Sequence, residues 1–150
     1  MACEYLANSL QAVSLNGPVI FSASIPCRRG FVYHDDETGV FVLRNPSNNC
    51  FATFQVTFNG NVAIPEGGTA GPIAVAIVVN GEQRPTSRAV YTPAAVDTYG
   101  NVTSTAIIKV PKGCGFPVSV ESIPGTTDPT ATPAPVIDVI NANLVISRIA

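Results

Sequence analysis

Ile73-Ala74-Val75-Ala76-Ile77-Val78-Val79 is an unbroken apolar run that stops at Asn80-Gly81. Its length and its Ile/Val content predict a β-strand, and Asn-Gly is a strong hairpin-turn signal. A half-buried strand alternates apolar and polar residues, because successive side chains point to opposite faces of the sheet. This strand has no polar face, so both of its faces need cover. In a small all-β domain the core covers only one face of each sheet. The run therefore predicts that another copy of the chain covers the other.

The rest of the composition points the same way. A chain of 150 residues makes one domain, or one domain with a short arm. Charged residues make up 12%, against about a quarter in an average soluble domain. Mean hydropathy is positive at +0.30, yet no apolar run approaches the ~18 residues that span a bilayer. Self-association is the simplest way to cover so much uncharged surface. The eight Lys and Arg are scattered apart from Arg28-Arg29, and the formal net charge is −2. That excludes the basic patch of a nucleic-acid binder. Met1-Ala2-Cys3-Glu4-Tyr5 lacks the charged and apolar regions of a secretory signal. Manufacture in a cytoplasm is expected, with exit by lysis or as part of a particle.

Strand signals continue along the chain. Ala52, Phe54, Val56 and Phe58 alternate with Thr53, Gln55 and Thr57, and Asn59-Gly60 follows. Further strands are predicted at Val19–Ala23, Gly39–Arg44, Val102–Val110, Val118–Ile123 and Asn141–Ile149, with another at Arg88–Thr92. Thirteen prolines and twelve glycines punctuate them. Turns at this spacing predict a sandwich or jelly roll. Residues 1–15 are set apart as an N-terminal arm before a domain at 16–150. In the arm, Leu6, Leu10 and Val13 stand at i, i+4 and i+7, which fits a short amphipathic helix or equally a strand-like tail. Gly125 to Pro135 is a Pro/Thr-rich loop between two strands, expected as a tolerated surface insertion. The final strand places Leu144, Val145, Ile146 and Ile149 on both faces. It is expected beside Ile73–Val79 in one sheet.

Few groups are suited to catalysis. His34 is the one histidine, and it stands in His34-Asp35-Asp36-Glu37, expected as a solvated acidic turn. A calcium or transition-metal site is the sharper alternative, but adjacent turn residues rarely converge on one ion and calcium takes six to eight oxygens. Glu66-Gly67-Gly68-Thr69-Ala70-Gly71 has glycine spacing without the Gly-Lys-Ser/Thr of a phosphate loop. The four cysteines, Cys3, Cys27, Cys50 and Cys114, show no CxxC spacing. Free, mostly buried thiols are expected, with one disulfide, Cys27 among the candidates, as the alternative. No catalytic residue, metal or cofactor is assigned. Lys109 and Arg148 interrupt apolar strands. Each is read as a snorkelling edge charge, or as a charge near an oligomer axis paired with Asp138 or Glu121.

The order of these pieces resembles the trimeric jelly-roll superfamily of complement globular heads and tumour necrosis factor, over roughly residues 16–150. Gly17-Pro18-Val19-Ile20-Phe21-Ser22 stands where that superfamily has its early strand. Gly39-Val40-Phe41-Val42-Leu43-Arg44 is similar to its Gly-x-Phe-x-Phe strand, and Asn143 to Ile149 to its last core strand. Pro26-Cys27-Arg28-Arg29-Gly30, Thr92-Pro93-Ala94-Ala95-Val96 and Val110-Pro111-Lys112-Gly113-Cys114 look closer to small relatives encoded by phages and prophages of gut Firmicutes. Spore-surface relatives usually carry a collagen stalk, and no Gly-X-Y tract occurs here.

The resemblance implies an all-β, two-sheet antiparallel jelly-roll sandwich that forms a homotrimer. It implies a non-enzymatic structural role on a bacteriophage virion, as a capsid decoration protein or fibre head. A spore-coat or cell-surface head and a glycan-binding adhesion module are the alternatives. On this reading Ile73, Val75, Ala76, Ile77, Val79, Leu144, Ile146 and Arg148 form the trimer interface. Leu6, Leu10 and Val13 attach the trimer to its particle. The partners are other copies and other virion or surface proteins, with neither nucleic acid nor membrane among them.

Overall fold

A computed structural model describes residues 2–25 and 30–150. In chain order the strands are β1 (Ala2–Ala7), β2 (Gln11–Ser14), β3 (Ala23–Ile25), β4 (Val32–His34), β5 (Phe41–Arg44) and β6 (Phe51–Ala63). They continue with β7 (Ile73–Val79), β8 (Glu82–Gln83), β9 (Ala89–Tyr91), β10 (Gly100–Pro111), β11 (Gly115–Pro124) and β12 (Val136–Arg148). Among the described residues the one helical piece is a 3-10 turn at Pro85–Ser87. The front sheet runs β10-β6-β12-β1-β3, with β2 on the far part of β12. The back sheet runs β4-β5-β11-β7-β8, with β9 also on β7. All pairings are antiparallel, and the two sheets pack as a jelly-roll sandwich.

The core is the space between the sheets. Strand β6 supplies Ala52, Phe54, Val56 and Phe58 to it, all fully buried, as their alternation predicts. Phe21, Phe41 and Phe58 meet edge to face across it, with centroids 5.5 and 6.4 Å apart. Such contacts add to the area each ring buries.

The apolar run forms β7 as predicted, and all seven of its residues are buried. Its neighbours differ from expectation. It lies in the back sheet between β11 and β8/β9, whereas β12 lies in the front sheet. Ile73, Val75, Ile77 and Val79 face the chain's own core, as do Leu144 and Ile146. These six side chains, expected at the trimer interface, are therefore enclosed within one chain.

The opposite face of β7 is covered locally. Ala74 and Ala76 form a small cluster with Ile123. Glu121 is paired with Ala76, and the β7–β9 register places Arg88 on its other side. The Arg88 guanidinium reaches across β7 to the Pro124 carbonyl at 2.6 Å. An alanine methyl is short enough to be sheltered by taller neighbours on its own sheet. Ala76 thus needs no second chain.

The segment expected as an arm over residues 1–15 supplies β1 and β2. Neither is helical, and each pairs with β12. Cys3, Tyr5, Ala7 and Val13 are buried in the core. Cys3 is disulfide-bonded, while Cys50 and Cys114 are free and exposed rather than buried. Cys27, the candidate from the sequence, falls outside the described residues, as do Arg28 and Arg29.

Gly125 opens the loop from β11 to β12, where a Cβ would collide with the Pro72 carbonyl and the Ile73 backbone nitrogen. Backbone cannot step aside as a flexible side chain can. Gly125→Ala should cost about 2–4 kcal/mol in denaturant unfolding, and an unchanged midpoint would contradict the close approach.

Candidate functional site

The front sheet turns one face to the core and the other outward. Register fixes the outward rows across β10, β6, β12, β1 and β3. One row reads Thr105, Thr57, Val145, Glu4, Ile25, and the next reads Thr103, Asn59, Asn143, Leu6, Ala23. A third reads Ile107, Gln55, Ser147, Ala2. Lys109 and Thr53 follow at one end, and Asn101, Asn61 and Ile140 at the other. Charge in these rows is confined to Glu4 and Lys109. Asn143 Nδ2 donates to Glu4 Oε2 at 2.7 Å, and Lys109 Nζ sits 5.7 Å from the Phe51 ring centroid.

The polar side chains of this face bond to one another. Asn101 Nδ2 donates to Asn59 Oδ1 at 2.9 Å, and Thr103 Oγ1 donates to the same oxygen at 3.1 Å. The Thr57 and Thr105 hydroxyls are 3.2 Å apart. Side chains tied this way have already lost rotamer freedom, so ordering them in a contact costs little more. Ile107 is 48% exposed and Phe51 is 52% exposed. The face is broad, nearly uncharged and pre-ordered, as suits a protein contact.

Of the expected interface residues, Arg148 is the one that reaches solvent, but it shares the inward face of β12 with Leu144 and Ile146 and caps the open end of the core. Its guanidinium stacks 4.4 Å from the Phe31 centroid, and Nε donates to the Ala150 carbonyl at 3.2 Å. Glu121 accepts from Ser119 at 2.9 Å and belongs to the back sheet. It therefore lies across the sandwich from Arg148 and Lys109. Asp138 lies with Asp97 near the far end of β12. Burial, and then the Asp97 charge, raise its carboxyl above the ordinary 3.8. The folded state thus holds this proton more tightly than the unfolded chain does. Its contribution to stability is full below pH 3.8 and is lost as pH rises through the folded value. Asp138→Asn should raise Tm at pH 7 by about 1–2 °C, with no gain below the unfolded pKa. A gain that grows in acid would contradict the sign.

The expected attachment residues do not share a face. Val13 is buried, Leu6 is half-buried in the front-sheet rows, and Leu10 is exposed in the turn between β1 and β2. His34 is not a free turn residue. Its ring stacks on Phe41 with centroids 4.1 Å apart, and Tyr5 meets it edge-on at 5.0 Å. The Nε2–H donates to the Thr38 carbonyl at 2.9 Å. Asp35 is occupied by the Tyr33 hydroxyl at 2.9 Å. Among the described residues, no group of three His, Cys, Asp or Glu is placed to hold a metal ion.

No protein-family model matches this chain, and no curated protein matches it. Solved structures do match it in shape. The globular domain of zebrafish complement 1qA superposes with a TM-score of 0.63 at 15% identity, covering 99% of this chain and 97% of that one. Eiger TNF from S. frugiperda gives 0.65 at 12% identity, covering 100% and 92%. Murine APRIL gives 0.57 at 9% identity, covering 96% and 97%. At these identities the likeness establishes the jelly-roll fold end to end.

Proposed function

We propose that this chain is a non-enzymatic structural module, assembled as a homotrimer through the outward face of the front sheet. The observation that carries this reading is the near-absence of charge across five adjacent strands of exposed sheet. An antiparallel sheet with one solvated face alternates core residues with polar ones, and Lys, Glu, Arg and Asp are the residues most often left exposed. Here the outward positions named above are mostly Thr, Asn, Gln, Ser, Ala, Val, Leu and Ile, with Glu4 and Lys109 in the rows and Asp138 at the far end of β12 as the charges. The likeness in fold to complement and tumour necrosis factor heads supports the trimer. Light scattering at micromolar concentration should give about 47 kDa, three times the 15.6 kDa chain. A monomer mass would overturn the proposal.

Within that reading the trimer decorates a bacteriophage virion, as a capsid decoration protein or the head of a short fibre. The support is the similarity of the segments at 26–30, 92–96 and 110–114 to phage-encoded relatives, together with low charge, which suits dense packing against other proteins. Antibody raised against the purified protein should label intact phage particles from a strain that encodes it. Label on spores or cell envelopes, with particles bare, would favour the surface-head alternative.

A further inference from the structure

Two segments take no part in the front-sheet face: the loop from β6 to β7, residues 64–72, and the loop from β11 to β12, residues 125–135. They meet at one end of the sandwich and enclose a cavity of about 580 Å3. Gly125, packed on the Pro72 backbone, brings the two loops together beside it. We propose that this cavity binds a neutral, largely apolar or aromatic small molecule.

The walls argue for an apolar occupant. Pro65, Pro72, Pro133 and Pro135 line it. Proline has no backbone N–H and a fixed φ, so these four positions offer no donor and resist collapse. The alanines and glycines between them are too short to fill the space. Trapped water needs two to four polar partners, and the side chains here supply little beyond threonine hydroxyls. The volume falls in the range of about 300–1,000 Å3 typical of small-molecule sites.

Charge selects further. Glu66 is the one charged side chain of the lining, and it is exposed at the loop tip. No Lys or Arg is present to pair with a carboxylate, phosphate or sulfate. An anionic ligand would lose its hydration and meet only a like charge, and a cationic one would find only the solvated Glu66 at the rim and no buried acid to offset its desolvation, so the occupant is neutral. This inference is independent of the trimer and of the virion.

The full-length protein titrated with N-phenyl-1-naphthylamine, a neutral fluorophore, should show saturable enhancement at one site per chain. Decanol should displace it at least tenfold more effectively than dodecanoate. Ala70→Trp and Ala131→Trp, placed on opposite loops at exposed positions, should each weaken binding at least tenfold with an unchanged thermal melt. Non-saturating fluorescence, or equal affinity in the folded variants, would overturn the proposal. Should either variant fail to fold, photolabelling of the unmodified protein with a neutral aromatic diazirine decides. Label confined to peptides covering 64–72 and 126–136 supports the site, and label distributed elsewhere overturns it.

Discussion

Deleting Ala2–Ala7 should abolish folding. This strand is not an appendage. It lies between β12 and β3 in the front sheet and pairs with β12 over its whole length. Its removal exposes the edge of β12 and strips Cys3, Tyr5 and Ala7 from the core. Tyr5 alone packs 4.5 Å from Phe41 and 5.0 Å from His34, centroid to centroid. Truncating a buried aromatic costs about 3–5 kcal/mol, and a domain of this size has about 5–15 kcal/mol in hand. Losing the ring, two smaller core groups and a ladder of backbone hydrogen bonds exceeds that margin. The truncated chain should be insoluble, or lack a cooperative melt by circular dichroism. Tyr5→Ala should still fold, with unfolding free energy lower by about 3–4 kcal/mol. A truncated chain that melts as the full one does would return residues 2–7 to the status of an arm.

Why that strand was ambiguous in the sequence is instructive. Leu6, Leu10 and Val13 are spaced for a helix, and they are its most hydrophobic residues. Val13 does bury itself, from β2, but within β1 the buried residues are Cys3, Tyr5 and Ala7, which alternate with period two and are less apolar than Leu6. Strand β6 was legible because its inward residues include two phenylalanines and its outward ones are Thr and Gln. For β7 the sequence specified the strand but not its neighbours. A run that is apolar at every position hides the fact that Ala74 and Ala76, unlike valine, need little cover. Their small size is what lets Arg88, Glu121 and Ile123 shelter them. Ile77 and Leu144, expected at the interface, point inward, because hydropathy alone marks a residue for burial and does not say against what. The Thr/Asn rows depend on pairing between strands about 45 residues apart in β6 and β10, and the cavity on loops about 60 apart. Neither juxtaposition has a local signal.

Val145→Lys should convert the proposed trimer to monomers without unfolding them. Val145 points outward from the middle of the front sheet, beside Thr57 on one side and Glu4 on the other. In the isolated chain the new ammonium would stand next to the Glu4 carboxylate, a favourable cross-strand pair worth a few tenths of a kcal/mol at a surface. The monomer's melt should therefore hold within about 2 °C. In a three-fold assembly through this face the same change appears three times, close to the axis and away from water. A buried charge without a full set of partners costs about 3–5 kcal/mol, which weakens association at least 100-fold. Light scattering should fall from about 47 kDa to 15.6 kDa per particle. Ile77→Asp provides the contrast, because its fully buried side chain faces the core. It should unfold the chain rather than release a folded monomer. A Val145→Lys protein that remains a trimer would place the contact elsewhere and leave the front-sheet face to solvent. A dissociated but folded one would show that the uncharged rows, and not the apolar run of β7, hold the copies together.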